Sequence, residues 1–152
     1  METGRWMFLA RRVASVLIAL CFVLPLSQCD SKLEADGKTV TREYRFSGIG
    51  LAKGALADIG AGHVGNGLGG VAISVLVFFL PLASWKMPDI KQAVLLAAAA
   101  PPAGFFVYVW SFGTGGRTLF GGYLLTTCWT LVALSACVTI GMQAVRWRRR
   151  PA

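Results

Sequence analysis

The sequence predicts an all-α integral membrane protein: a four-helix transmembrane bundle with a small extracytoplasmic region that carries a β-hairpin over 32–46. Three observations support this. Charged residues make up 14% of the 152-residue chain and hydrophobic residues 55%, against about 25% charged in a typical soluble domain. Three uncharged apolar stretches in the second half are each long enough, as helices, to approach the roughly 30 Å hydrocarbon core of a bilayer. Lysines and arginines gather beside the apolar stretches, where water–lipid boundaries favour them.

Residues 1–12 read as a cytoplasmic N-terminus with Arg5, Arg11 and Arg12, and 13–27 as the first span. Its apolar run, Val13 to Leu26, covers roughly 21 Å as a helix. A basic start, a short apolar centre and Pro25 near the end resemble a secretory signal peptide. Leu26-Ser27-Gln28-Cys29 resembles a lipobox, although Gln28 stands where such signals carry a small residue. Ser27-Gln28-Cys29 is only a passable site for the ordinary signal peptidase. The reading favours an uncleaved signal-anchor, its ends completed by Trp6 to Ala10 or by snorkelling arginines. Cys29 is the candidate for lipidation or redox chemistry.

Residues 28–64 form the extracytoplasmic segment. Asp36-Gly37 supplies the positive φ values of a two-residue turn, and Val40, Tyr44 and Phe46 follow in a β-rich arm. From Gly48 to Gly70 there are nine glycines in 23 residues; Leu51, Ala55 and Ile59 recur at the spacing of a short surface helix over 51–59, and the flanking glycines read as a flexible re-entry into the membrane. Gly65-x-x-x-Gly69 has the spacing at which helix backbones approach closely.

The second span is 65–84 and the cytoplasmic loop 85–91, with Lys86 and Lys91 beside Trp85. The third span, 92–110, carries Pro101 and Pro102, which remove amide donors and predict a kink near 97–100. An extracytoplasmic loop at 111–122 leads to the fourth span, 123–145. There Ala133, Cys137 and Gly141 recur at i, i+4 and i+8 as a packing stripe. Arg146, Arg148, Arg149 and Arg150 fill the basic cytoplasmic tail, 146–152.

Orientation follows from the basic residues. With both termini inside, nine of them, including Arg11, Arg12, Lys86, Lys91 and the tail arginines, are cytoplasmic and six lie outside. The inside residues abut their spans, as the positive-inside rule requires. The expected location is a bacterial inner (plasma) membrane.

The residue inventory narrows the function. No expected span has an ionisable residue at its core, which disfavours proton-coupled pumps and small multidrug exporters. Cys29 alone is external, so quinone-linked thiol oxidoreductases lack their cysteine pair. His63 is the one histidine, too few for a bis-histidine haem, and no Cys/His group has zinc spacing. No nucleophile–base pair assembles. The sequence therefore predicts no cofactor, no metal and no catalytic residue. The net charge of +8 sits at span edges, matching lipid headgroups rather than nucleic acid. The expectation is a non-enzymatic scaffold, accessory subunit or assembly factor, in contact with lipids and with other membrane proteins or copies of itself. A transporter or channel subunit is the alternative, and a thiol-dependent enzyme or lipoprotein using Cys29 the second.

Overall fold

The computed structural model describes residues 2–35, 38–113 and 117–148. Its elements run α1 (Glu2–Leu20), β1 (Pro25–Ala35), β2 (Lys38–Ser47), α2 (Gly48–Gly60), α3 (Val64–Lys86), α4 (Asp89–Gly113), β3 (Arg117–Thr118) and α5 (Phe120–Arg148). The chain is mostly helical, and α3, α4 and α5 are long and apolar enough to cross a membrane. Only 33%, 28% and 33% of their most apolar windows are buried inside the protein. The outward remainder includes exposed Leu68, Val75, Val94, Phe105, Leu131, Leu134 and Val138. Lipid is the solvent that fits it.

The first apolar run departs from the expected helix over 13–27. α1 starts at Glu2, ends at Leu20, and gives way to extended chain from Pro25. Proline disfavours helix at the residue before it, so Leu24 cannot carry α1 onward. α1 holds Arg5, Arg11 and Arg12 and is not among the helices apolar enough to cross on composition. Even so, it lies antiparallel along α5. Ala14, Ile18 and Cys21 join Leu125, Cys128, Trp129, Val132 and Ala136 in one core with Leu96, Ala103 and Val107 of α4 and Val77 and Phe78 of α3.

α3 is irregular in the middle, with a π-helical turn at Val75–Phe79. In a regular helix the Val77 carbonyl would accept from residue 81, but Pro81 has no N–H. The indole Nε1 of Trp129 donates to that carbonyl instead, at 2.9 Å. A second π-helical turn, Val109–Gly113, closes α4. α4 stays α-helical through Pro101 and Pro102, both on its exposed side.

One end of this mostly helical chain carries an antiparallel sheet in the order β2-β1-β3. β1 pairs with β2 from Pro25↔Ser47 to Ala35↔Lys38, and with β3 at Ser27↔Thr118 and Gln28↔Arg117. The expected turn residues Asp36 and Gly37 lie outside the described residues. Strand β1 runs straight into the bundle. Gly121 and Gly122 open α5 because a Cβ there would lie 2.5 Å from the Pro25 and Leu26 carbonyl oxygens, respectively. α5 thus begins at Phe120, within the stretch expected to be loop.

The glycine-rich stretch is helical on both sides of its turn: the short helix expected over 51–59 extends to Gly48–Gly60, and the loose re-entry is replaced by the start of α3. Ser47 caps α2 by accepting from the Gly50 amide at 3.1 Å. Gly62, at φ +87°, turns the chain into α3. α2 and α3 pack through Gly67 and Gly70, where a Cβ would strike Ile59 and Ala55. Gly65 and Gly69, the pair expected to pack, have nothing within 4 Å of an added Cβ. The closest approach falls on glycines the GxxxG spacing did not single out.

Candidate functional site

Polar chemistry concentrates where α1, α4 and α5 meet at the end away from the sheet. On α1, Arg11, Ala14, Ser15 and Ile18 share one buried face, while Leu9, Val13, Val16 and Leu20 share the exposed one. The helix is amphipathic in reverse: its apolar stripe looks out and its arginine looks in. Small Ala14 and Ser15 on the inner face leave room for the guanidinium beside α5.

Arg11 is 2% exposed and stands among the largest fully buried side chains. Its Nη1 donates to Asp89 Oδ1 at 2.9 Å and to Gln92 Oε1 at 3.4 Å. Its Nη2 donates to Thr139 Oγ1 at 2.6 Å and to the Ser135 carbonyl at 3.4 Å, and its Nε to Ser135 Oγ at 3.3 Å. All three guanidinium nitrogens are engaged. A guanidinium buried without such bonds would cost several kcal/mol, on the order of the penalty for any buried ion.

The acceptors are themselves held. Ser135 Oγ donates to the Val132 carbonyl at 2.9 Å and Thr139 Oγ1 to the Ser135 carbonyl at 2.8 Å. Gln92 Nε2 donates to Ser84 Oγ at 3.2 Å, and Ser84 Oγ to the Pro81 carbonyl at 2.9 Å. Each hydroxyl receives from one side and donates to a backbone carbonyl on the other, so the bonds polarise one another. The Asp89 side chain is 52% exposed against 1% for Arg11. The ion pair therefore bridges the buried site and the surface, and solvent weakens its attraction. Asp89 also opens α4, where a carboxylate suits the helix dipole.

Chemically this site holds a fixed positive charge. The hydroxyls of Ser135 and Thr139 direct their protons into helix carbonyls rather than toward a base. Among the described residues no group of three or more His, Cys, Asp or Glu side chains could hold a metal ion.

Arg11, expected at a membrane boundary, is buried against α4 and α5 at the end of the bundle that also carries Asp89. Arg12 beside it rests over the rings of Phe8, 4.1 Å away, and Trp85, 5.5 Å away. Lys86, Lys91, Arg146 and Arg148 are exposed at this same end, and Arg149 and Arg150 lie outside the described residues. Cys29 is on β1, opposite Tyr44 and half-buried. Ala133 is half-buried and lines a cavity against α4, whereas Cys137 and Gly141 turn outward. The buried stripe of α5 is Leu125, Cys128, Val132, Ala136 and Thr139, while Cys137 and Gly141 are exposed and nothing lies within 4 Å of a Cβ on Gly141.

No family model, no curated protein and no solved structure matches the chain. Its own geometry has to carry the functional reading. The cluster around Arg11 was missed in the sequence because its members are scattered from 11 to 139. The signal was present all the same, in the apolar face Leu9–Val13–Val16–Leu20 that turns Arg11 and Ser15 to the other side, and in Ser135 and Thr139 at i, i+4 on α5.

Proposed function

We propose that the chain is a non-enzymatic four-span membrane protein, an accessory or scaffold subunit, with α1 retained as its first span and both termini in the cytoplasm. The observation that carries this reading is the division of the bundle's surfaces. Arg11 is bound to side chains and backbone of its own bundle, whereas α5 leaves Cys137 and Gly141 exposed, with nothing within 4 Å of a Cβ on Gly141. Small residues on a lipid-facing helix let a second helix approach closely.

Retention of α1 is supported by what cleavage would remove. A cut before Cys29 would strip Arg11 from its acceptors and take Ala14, Ile18, Cys21 and Leu26 from the core. The inward orientation is supported by Arg12, Lys86, Lys91, Arg146 and Arg148 meeting at one end, and a bacterial inner membrane is the setting in which that rule is applied. Lipidation or thiol chemistry at Cys29 is the weaker reading, since it calls for freeing a residue from a paired strand.

Cross-linking through Cys137 in native membranes tests the scaffold reading. We expect Cys137 to link to a second copy or to another membrane protein, and Gly141→Leu to reduce the yield. A chain that stays unlinked, and is isolated from gentle detergent as a monomer without companions, would overturn it. A transporter subunit is the second reading, favoured by one observation: an ionisable residue inside a membrane bundle marks function by default. Solute flux in liposomes that falls with Arg11→Gln while the fold persists would favour it over the scaffold.

A further inference from the structure

Two of the four cysteines are brought together by the fold. Cys21 follows α1 and is fully buried, and Cys128 lies on α5 at 2% exposure. Both belong to one apolar core with Ile18, Leu125 and Trp129.

α1 and α5 run antiparallel between two fixed points. At the first, Arg11 reaches Ser135 and Thr139. At the second, a Cβ on Gly121 would meet Leu24 and the Pro25 carbonyl. Between those points α5 brings Cys128 alongside Cys21, and the two thiols lie within electrostatic reach of each other.

The approach is close because the buried faces carry small residues, Ala14 and Ser15 on α1 and Ala136 on α5. A disulfide needs Cα atoms about 4.4–6.8 Å apart, so bulkier facing residues would forbid one. The backbone at Cys21 has slack as well. Its amide bonds the Leu17 carbonyl at 2.9 Å, but the next two amides reach back only to Ala19 and Leu20, at 3.2 Å each. The helix is loosening there, and a loosened turn adjusts more readily than a regular one.

The surroundings decide the oxidant. The core around the pair is apolar, and α1 turns Val13, Val16 and Leu20 outward. A hydroperoxide dissolved in lipid shares that environment, whereas a charged reagent does not.

We propose that Cys21 and Cys128 form a disulfide that pins α1 to α5 when hydroperoxides accumulate in the bilayer. One thiol takes the terminal oxygen of the hydroperoxide and becomes a sulfenic acid, leaving an alcohol. The second thiol then displaces water from that sulfenic acid, and the S–S bond forms. The two sulfurs together lose two electrons, and the O–O bond receives them. Burial slows the first step, because a thiolate is the nucleophile, so the bond forms under sustained exposure. This goes beyond the scaffold reading and needs only that α1 stays on the chain.

The test treats the full chain in liposomes with cumene hydroperoxide, unfolds it in SDS with N-ethylmaleimide, and digests it without reductant for mass spectrometry. We expect a linked Cys21–Cys128 peptide that dithiothreitol removes. Its yield should be about tenfold or more above that from chain oxidised in SDS, where so long a loop closes by chance. The oxidised chain should also unfold at a higher temperature than the reduced one, and Cys128→Ala should abolish both the link and the shift. Equal yields from folded and unfolded chain, or links through Cys29 or Cys137 in place of this pair, would overturn the proposal. A mature chain without α1 would do so too, and intact mass shows that separately from the oligomeric state. If Cys128→Ala does not fold, the linked peptide and its yield in the unaltered chain decide the matter.

Discussion

The two ends of the bundle are joined by different chemistry. At the Arg11 end, helices far apart in sequence are tied by side chains: one guanidinium reaches α4 and α5, and Gln92 extends the connection to Ser84. At the sheet end each contact falls on backbone on at least one side. Leu119 donates its amide to the Leu26 carbonyl at 2.9 Å, Ser27 Oγ donates to the Trp110 carbonyl at 2.6 Å, and Gly121 and Gly122 lie against the carbonyls of β1. A side-chain tie can be replaced by another side chain of similar shape. A backbone contact that depends on a missing Cβ cannot.

This contrast predicts which substitutions each end tolerates. The largest effect is expected from Arg11→Ala, which leaves Gln92 and Thr139 facing an empty space; a loss of about 3–5 kcal/mol follows from breaking a buried pair on one side. Arg11→Met should cost far less, because replacing a buried ion by an apolar side chain of similar volume is often close to neutral. Equilibrium unfolding in mixed micelles, read by tryptophan fluorescence, measures both. If Arg11→Met were as damaging as Arg11→Ala, the arginine's charge rather than its volume and bonds would be what the bundle needs.

Next in size, Gly122→Val should destabilise by about 1–3 kcal/mol, the usual cost of overpacking, and no choice of larger residue should recover it. Trp129→Phe removes the donor to the Val77 carbonyl and leaves a buried acceptor unpaired, for about 1–3 kcal/mol. A smaller effect is expected from Asp89→Asn, about 1 kcal/mol or less, because half of that side chain already faces solvent. Smallest of all, Gly65→Ala should fall within about 0.5 kcal/mol of the unaltered chain, as surface changes usually do. A large loss at Gly65 would mean that an outside partner covers α3 there.

Much of the helical layout was legible in the sequence. The apolar stretches around 65–84, 92–110 and 123–145 became α3, α4 and α5, with ends shifted by a few residues at most. Apolar runs of that length and charge free energy speak directly to a lipid solvent. Lys86, Lys91, Arg146 and Arg148 likewise mark one end of the bundle because their position beside the runs is a local property. The glycines of two expected packing motifs, Gly65, Gly69 and Gly141, meet no other described element of this chain, for one reason. The GxxxG spacing at Gly65 and Gly69, and the stripe Ala133, Cys137 and Gly141, are true helical stripes, but a spacing does not say toward which neighbour a stripe points. In the folded chain Gly67 and Gly70 meet α2, and Cys128, Val132 and Ala136 meet the core.

The composition and order of apolar and basic residues were enough to determine that this chain belongs in lipid and where its three long helices lie. Those properties arise from how each segment is solvated, one segment at a time. Only the tertiary structure decided that Arg11 turns inward to clasp α4 and α5, and that Trp129 replaces the amide Pro81 lacks. Each of these depends on a partner 50 or more residues away, which is not written in the local pattern of a chain.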